Sequence, residues 1–227
     1  MFLHILTSLR KGGLRRLFHY FWNAIWFDLM NGTNTAFRRE KSGQNVDDPA
    51  FEDGLLYVAS LDFVIHRTVT TALTFLGAPR GLARFIDVGC GKGKTILYSE
   101  RKFSGEFSKI IGVEYDPRLV SECRANLEKI NAQKTDVFEE SGEHLYRHLV
   151  APAVVYFYNS FQGDTFRKTF DCVKDHKFVL IYVDPVLTGE LRALGYKEVK
   201  SHSGQYNAES WAIFKSPGLN SSSSISD

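Results

Sequence analysis

Between Arg84 and Lys94 the chain reads Arg-Phe-Ile-Asp-Val-Gly-Cys-Gly-Lys-Gly-Lys, an acid followed by three glycines at alternate positions. A short apolar strand (Phe85, Ile86, Val88) runs into a turn made of Gly89, Gly91 and Gly93. An amphipathic helix is expected from about Lys92, with Ile96, Leu97 and Tyr98 as its apolar positions. Glycines at this spacing let the backbone take positive φ and approach a ligand closely. The helix start then offers free N–H groups and a partial positive charge.

Spacing separates the nucleotide readings. A phosphate-cradling loop needs Gly, four residues, then Gly-Lys-Ser/Thr. Gly93-Lys94-Thr95 supplies the end, but the first glycine would fall on Val88. A dinucleotide fingerprint, counted from Gly89, would need its third glycine at Lys94. What remains is Asp-x-Gly-x-Gly-x-Gly, met by Asp87, Gly89, Gly91 and Gly93. In these residues the chain resembles the class I S-adenosylmethionine (SAM) dependent methyltransferases.

The next segment agrees. Lys109 to Glu114 reads as a second buried parallel strand ending in a carboxylate, and Asp116-Pro117 is a good helix start. A carboxylate at that strand end lies over the crevice of an open α/β sheet and can accept both hydroxyls of a ribose. The resemblance gives this role to Glu114, and implies that Asp87, Gly89, Cys90, Gly91, Gly93 and Tyr115 also bind the cofactor. A helix over Leu119 to Ile130 leads into a strand at Lys134 to Ser141. The family's acid near the adenine amino group then falls on Glu143, with Asp136 as its rival.

Ala153 to Tyr158 is the fourth strand, followed by Asn159-Ser160-Phe161. Asn159 can orient an acceptor by hydrogen bonding and also meets the cofactor, while Tyr158 and Phe161 can wall the transfer site. The run is reminiscent of the Asn-Pro-Pro-Tyr/Phe loop of amino- and amide-directed methyltransferases, but Ser160 stands for a proline and the aromatic comes one residue early. It is closer to small methyltransferase-like proteins with Tyr-Asn-Pro-Phe here and Tyr-Val-Asn-Pro after the fifth strand, where this chain has Tyr182-Val183-Asp184-Pro185. That family's Phe-Asp…Gly-x-Asp-Thr segment is echoed by Phe27-Asp28…Gly32-Thr33-Asn34-Thr35. The resemblance spans roughly Phe27 to Phe214.

The expected fold is therefore α/β: a Rossmann-like, doubly wound, mostly parallel seven-stranded sheet with an N-terminal helical extension. Residues 1–54 form the extension and a linker, 55–216 the SAM-binding domain, and 217–227, with four consecutive serines, a disordered tail. Within the domain, Ser60 to Gly77 reads as a helix, as does Asp164 to Lys174. Lys177 to Val183 is a fifth strand, and Tyr196 to Ser201 with Ala208 to Phe214 an antiparallel closing pair.

At 227 residues with 44% hydrophobic content the chain suits one domain with a full core. Cys90, Cys123 and Cys172 show neither disulfide nor zinc spacing, and Cys90 reads as a small packed residue. No metal is expected, and a reduced, cytoplasmic setting follows. In the N-terminal part, Leu14, Leu17, Phe18, Phe21, Ile25 and Leu29 recur at helical spacing beside Trp22 and Trp26. The longest uncharged run there, Leu17 to Phe27, is about half of what a membrane span requires. This helix reads either as a lid over the core or as a basic, aromatic segment in peripheral contact with a membrane. A net charge of only +2 gives nucleic acid little support as a partner. The acceptor is open, with a small metabolite or an envelope component preferred. The alternatives are a non-catalytic SAM-fold binding or scaffold protein and an NAD(P)-dependent oxidoreductase, which also places a carboxylate some twenty residues past a glycine loop.

Overall fold

The computed structural model describes residues 22, 25–36, 58–150 and 152–220. A short helix α1 (Trp26–Asn31) and a longer α2 (Asp62–Leu76) precede strand β1 (Ala83–Val88), and α3 (Lys94–Phe103) follows it. Then come β2 (Phe107–Glu114), α4 (Pro117–Lys129), β3 (Thr135–Glu139) and a 3-10 turn at Gly142–Arg147. The second half is β4 (Ala153–Tyr158), α5 (Gly163–Cys172), β5 (Phe178–Val183), α6 (Thr188–Ala193), β6 (Lys197–His202), β7 (Trp211–Lys215) and α7 (Pro217–Asn220).

The strands form one seven-stranded sheet in the order β3-β2-β1-β4-β5-β7-β6. Pairs among β1 to β5 are parallel, and β7 is antiparallel to both β5 and β6. Helices cover both faces, so the central strands are buried on both sides. Phe-Val-Leu-Ile-Tyr-Val of β5 has no exposed residue, the continuous apolar run such a sheet demands. Alternate residues feed two separate cores: Phe85 joins Val64, Ile65, Ile96 and Val120, while Ile86 and Val88 join Leu145, Phe166, Phe170 and Leu191. Strand order reverses between β1 and β4, one chain half running outward on each side. In an open sheet that switch point leaves a crevice at the strands' carboxyl ends.

Element ends differ from the sequence reading by one or two residues in most places. Helix α6 and the 3-10 turn at Gly142–Arg147 had no counterpart in the sequence reading, and two differences bear on the domain's limits. Pro217–Asn220, expected to open the tail, is helical, with the Gly218 amide donating to the Lys174 carbonyl (2.9 Å) and Leu219 packed on the core. Residues 26–36, assigned to a separate extension, are tied to the sheet domain. Phe27 is buried in its core, and Asn126 on α4 accepts from the Asn34 amide (3.0 Å). The other residues read as an amphipathic helix (Leu14, Leu17, Phe18, Phe21), the basic residues before it, and the linker lie outside the described residues. No helix among the described residues is long and apolar enough to cross a membrane.

Candidate functional site

The glycine loop folds back over the end of β2. Gly89 and Cys90 both donate backbone N–H bonds to the Val113 carbonyl (2.8 and 3.1 Å), and Gly93 donates to the Cys90 carbonyl (2.9 Å). All three glycines have positive φ, at 78°, 54° and 88°. At Gly89 a Cβ would also collide with the Ser160 side chain, so the β1 and β4 loops touch only because that position is bare. Cys90 is buried beneath the loop against Gly112 of β2.

Glu114 ends β2 with its carboxylate buried and held on both oxygens. Oε2 accepts the Gly91 amide (2.9 Å) and Oε1 the Asp116 amide (3.0 Å). Burial pushes its pKa up, while these N–H groups pull it back toward the charged form. Asp87, one residue before the loop's first turn, is also buried. Its pKa is pushed up to about 8, first by burial and then by the Glu114 charge, against a hydrogen bond from the Thr95 hydroxyl. Asp87 therefore holds its proton at neutral pH, beside the Glu114 carboxylate in one crevice.

Asp87, Gly89, Cys90, Glu114, Tyr115, Tyr158, Asn159 and Phe161 line a single cavity at the switch point. Gly91 and Gly93 shape the loop behind it without lining it. Glu143 does not face this cavity. The Ser141 hydroxyl accepts its amide and starts the 3-10 turn, which carries the Glu143 side chain outward toward Lys168 (4.0 Å). Glu140, Ser141 and Gly142 line the wall in its stead. Asp136 lies away from the cavity in an ion pair with Lys109 (2.6 Å).

Among the lining residues that sequence reasoning passed over are Ser60, Lys94, Thr95 and Glu140. Lys94 begins α3 with its ammonium buried, 2.7 Å from the Asp62 carboxylate of α2 and 4.0 Å above the Phe27 ring. The signal for Lys94 was present, since it follows the third glycine at the helix start. Its partner, 32 residues earlier, carried none. Asp184, at the end of β5, also lines the cavity, and obeys the same strand-end rule that pointed to Asn159. Among the described residues no group of three His, Cys, Asp or Glu side chains converges as a metal site.

No protein-family model and no curated protein matches the chain. Solved structures do match its fold. MtNAS, in a crystal structure in complex with S-adenosylmethionine, superposes with a TM-score of 0.52 at 11% identity, over 67% of this chain and 61% of that one. An rRNA methylase from Streptococcus thermophilus gives 0.49 at 13% identity, over 66% of this chain and 96% of that one. The fold is that of the Rossmann-like, class I methyltransferase type, as the sequence predicted.

Proposed function

We propose that this chain is a SAM-dependent methyltransferase of class I. The observation that carries the proposal is Glu114, a buried carboxylate fixed by the Gly91 and Asp116 amides at the switch point. Glu114 lines the cavity, and a carboxylate at this strand end suits ribose hydroxyls. The residues fit a cationic nucleoside in a second respect. Asp87 is a buried acid that pairs with no cation among the described residues, and a positive sulfonium or ammonium would offset its desolvation. The complex of a mutant of MtNAS with S-adenosylmethionine gives the fold a precedent for this cofactor.

When bound, SAM supplies an electrophilic methyl group on a positively charged sulfur. The protein's share is to bind, align and exclude water. Glu114 holds the ribose, Tyr115 flanks the base, and Glu140 with the Ser141–Gly142 backbone takes the adenine-side position expected of Glu143. Gly89, bare where Ser160 packs against it, lines the cavity beside Asp87. Tyr158, Asn159 and Phe161 wall the side of the cavity at the end of β4, where an acceptor must align within about 3 Å of the methyl carbon.

A thermal-shift titration with SAM, S-adenosylhomocysteine, NAD and ATP tests the reading. A ligand at a hundred times its Kd adds about 2.7 kcal/mol, several degrees for a chain of this size. The expected result is a shift with the two adenosyl-sulfur ligands alone, lost in Gly91→Asp and in Glu114→Ala. A shift with NAD or ATP in their place overturns it.

Peripheral membrane contact belongs to the same proposal. Trp22, Trp26, Leu29 and Met30 are exposed, with the two indoles stacked at 4.5 Å. The first 41 residues also carry Arg10, Lys11, Arg15, Arg16, Arg38, Arg39 and Lys41 against Asp28 and Glu40. Aromatic and basic side chains together suit an anionic lipid surface. Co-flotation with phosphatidylglycerol vesicles but not phosphatidylcholine vesicles is expected, and loss of flotation in a Trp22→Ser/Trp26→Ser variant.

A further inference from the structure

Residues Asn159 and Asp184 sit side by side because β4 and β5 are parallel neighbours with Tyr158 opposite Val183, so each is the first residue beyond a paired end. Both adopt left-handed backbone, at φ 39° and 51°, and both line the cavity that holds Asp87 and Gly89. A chain of donors fixes the Asn159 amide. The Leu187 amide donates to the Tyr182 hydroxyl (3.2 Å), which donates to Asn159 Oδ1 (3.4 Å). Gln162 Nε2 donates to the same oxygen (3.4 Å). That leaves Asn159 Nδ2 to donate to Asp184 Oδ2 (3.4 Å). The Asp184 backbone is pinned in turn by its amide bond to the Ser210 carbonyl (2.9 Å). Among the described residues, Asp184 Oδ1 accepts no hydrogen bond and no cation pairs with this carboxylate.

The charges around the cavity point the same way. Its walls carry Glu114, Asp116, Glu140 and Asp184, with Asp87 holding its proton at neutral pH, against Lys94 as the one cationic side chain among the described lining residues. Lys94 is already matched by Asp62 at 2.7 Å. Asp116 is paired with Arg118 (2.8 Å), and Glu140 with Arg147 and His148 (both 3.3 Å). Asp87 and Glu114 lie at the ends of the first two strands, on the cofactor side. The half-buried Asp184 is the unmatched charge on the other side, beside the wall assigned to the acceptor. Such a cavity repels phosphates and carboxylates and concentrates cations.

We infer that the acceptor group is an amine that arrives as an ammonium ion, received by Asp184 and aligned by Asn159; this rests on the SAM-dependent reading. The chemistry balances. One ammonium proton passes to the Asp184 carboxylate, freeing the nitrogen lone pair. That nitrogen attacks the methyl carbon as the carbon–sulfur bond breaks, the electron pair staying on sulfur to give a neutral thioether. The product leaves as a methylated ammonium, and the proton on Asp184 passes to solvent. Asp184 is the base, and Asn159 positions it.

Binding tests this without knowledge of the natural acceptor. The protein is saturated with S-adenosylhomocysteine, and n-propylammonium, propionate, n-propyl phosphate and n-propanol are titrated at matched ionic strength, read by ligand-observed NMR. Asp184→Asn is the informative variant, because it is isosteric and asparagine tolerates left-handed backbone. Wild type is expected to bind n-propylammonium and neither anion, and Asp184→Asn to weaken the ammonium by about fivefold to tenfold. An anion or propanol binding as tightly as the ammonium overturns the inference, as does an unchanged ammonium affinity in Asp184→Asn. The S-adenosylhomocysteine titration separates the two failures. If that ligand does not bind wild type, the cofactor reading falls and takes this inference with it. If it binds both proteins and the ammonium does not discriminate, only the acceptor assignment falls.

Discussion

Asp87 shows how one buried carboxylate ties stability to ligand affinity. Its folded pKa of about 8 lies far above the ordinary aspartate value of 3.8, so near neutral pH the native state holds this proton and the unfolded chain releases it. Stability from this group is therefore fully present below about pH 4 and is lost as pH rises through 8. Asp87→Asn should consequently gain on wild type between pH 5 and pH 9, by a few kcal/mol at the alkaline end, in paired urea melts. Binding runs in the opposite sense, since a cationic ligand prefers the ionised carboxylate. SAM affinity of wild type should rise from pH 6 to pH 8.5, and that slope should disappear in Asp87→Asn. Gly89 is the second residue with a clear forecast. Alanine there combines positive φ with a collision against Ser160, a strain of about 1–3 kcal/mol. The melting midpoint should fall by roughly 2–4 °C per kcal/mol. Adding Ser160→Gly should return part of the loss, since it relieves the collision and leaves the backbone strain.

Short elements hold the glycine loop from behind. Asp28 in α1 is buried and accepts from the Thr33 and Thr35 hydroxyls (2.6 and 2.8 Å) and from the Thr35 and Ala36 amides (both 2.7 Å). The turn so formed delivers Asn34 to Asn126, whose Nδ2 also donates to the Lys92 carbonyl within the loop (3.1 Å). Asp28→Ala leaves buried hydroxyls and amides without their acceptor, and should cost about 2–4 kcal/mol, measured by chemical denaturation. A Lys94→Met change should be comparably harmful by stranding the Asp62 charge, with much of the loss recovered in Lys94→Met/Asp62→Leu. Legibility in the sequence follows from how local each signal is. The β1 strand, its loop and the start of α3 lie within some twenty residues, and each glycine states its own backbone requirement. The Asp28 turn was visible as a pattern, Phe27-Asp28 before Gly32-Thr33-Asn34-Thr35, yet its purpose depends on Asn126, 92 positions away. Glu143 shows the complementary failure. Strand spacing pointed to it, but the Ser141 cap decides which side chain the turn presents, and that cap competes within three residues. Spacing arguments cannot resolve a rotation of one turn.

At the scale of the molecule, topology makes these parts one site. Parallel β1, β2, β4 and β5 all end at the same edge, so Asp87, Glu114, Asn159 and Asp184 converge although the first and last are 97 residues apart in sequence. Five parallel strands with helices between them were readable as a repeating pattern of apolar runs and amphipathic segments. The reversal at the β1–β4 pair follows from right-handed crossovers on both sides. What the pattern did not reveal is where the domain begins. Phe27 is buried in the same core as Val64, Ile65 and Ile96, and Asn31 accepts two bonds from the Arg101 guanidinium on α3 (2.8 and 3.0 Å). A boundary belongs where buried area and backbone bonding stop, not where composition changes. By that criterion the domain extends to at least Trp26. Deleting residues 1–36 should therefore do more than remove an appendage. It uncovers the Lys94 ammonium that Phe27 overlies at 4.0 Å, frees Asn126, and loosens the Lys92 carbonyl behind the loop. The shortened protein should melt several degrees lower and bind S-adenosylhomocysteine at least about tenfold more weakly, a loss of about 1.4 kcal/mol. Calorimetry on both proteins at one temperature, below either melting transition, decides the matter. Equal affinity would place the boundary at α2 and reduce residues 26–36 to a surface addition.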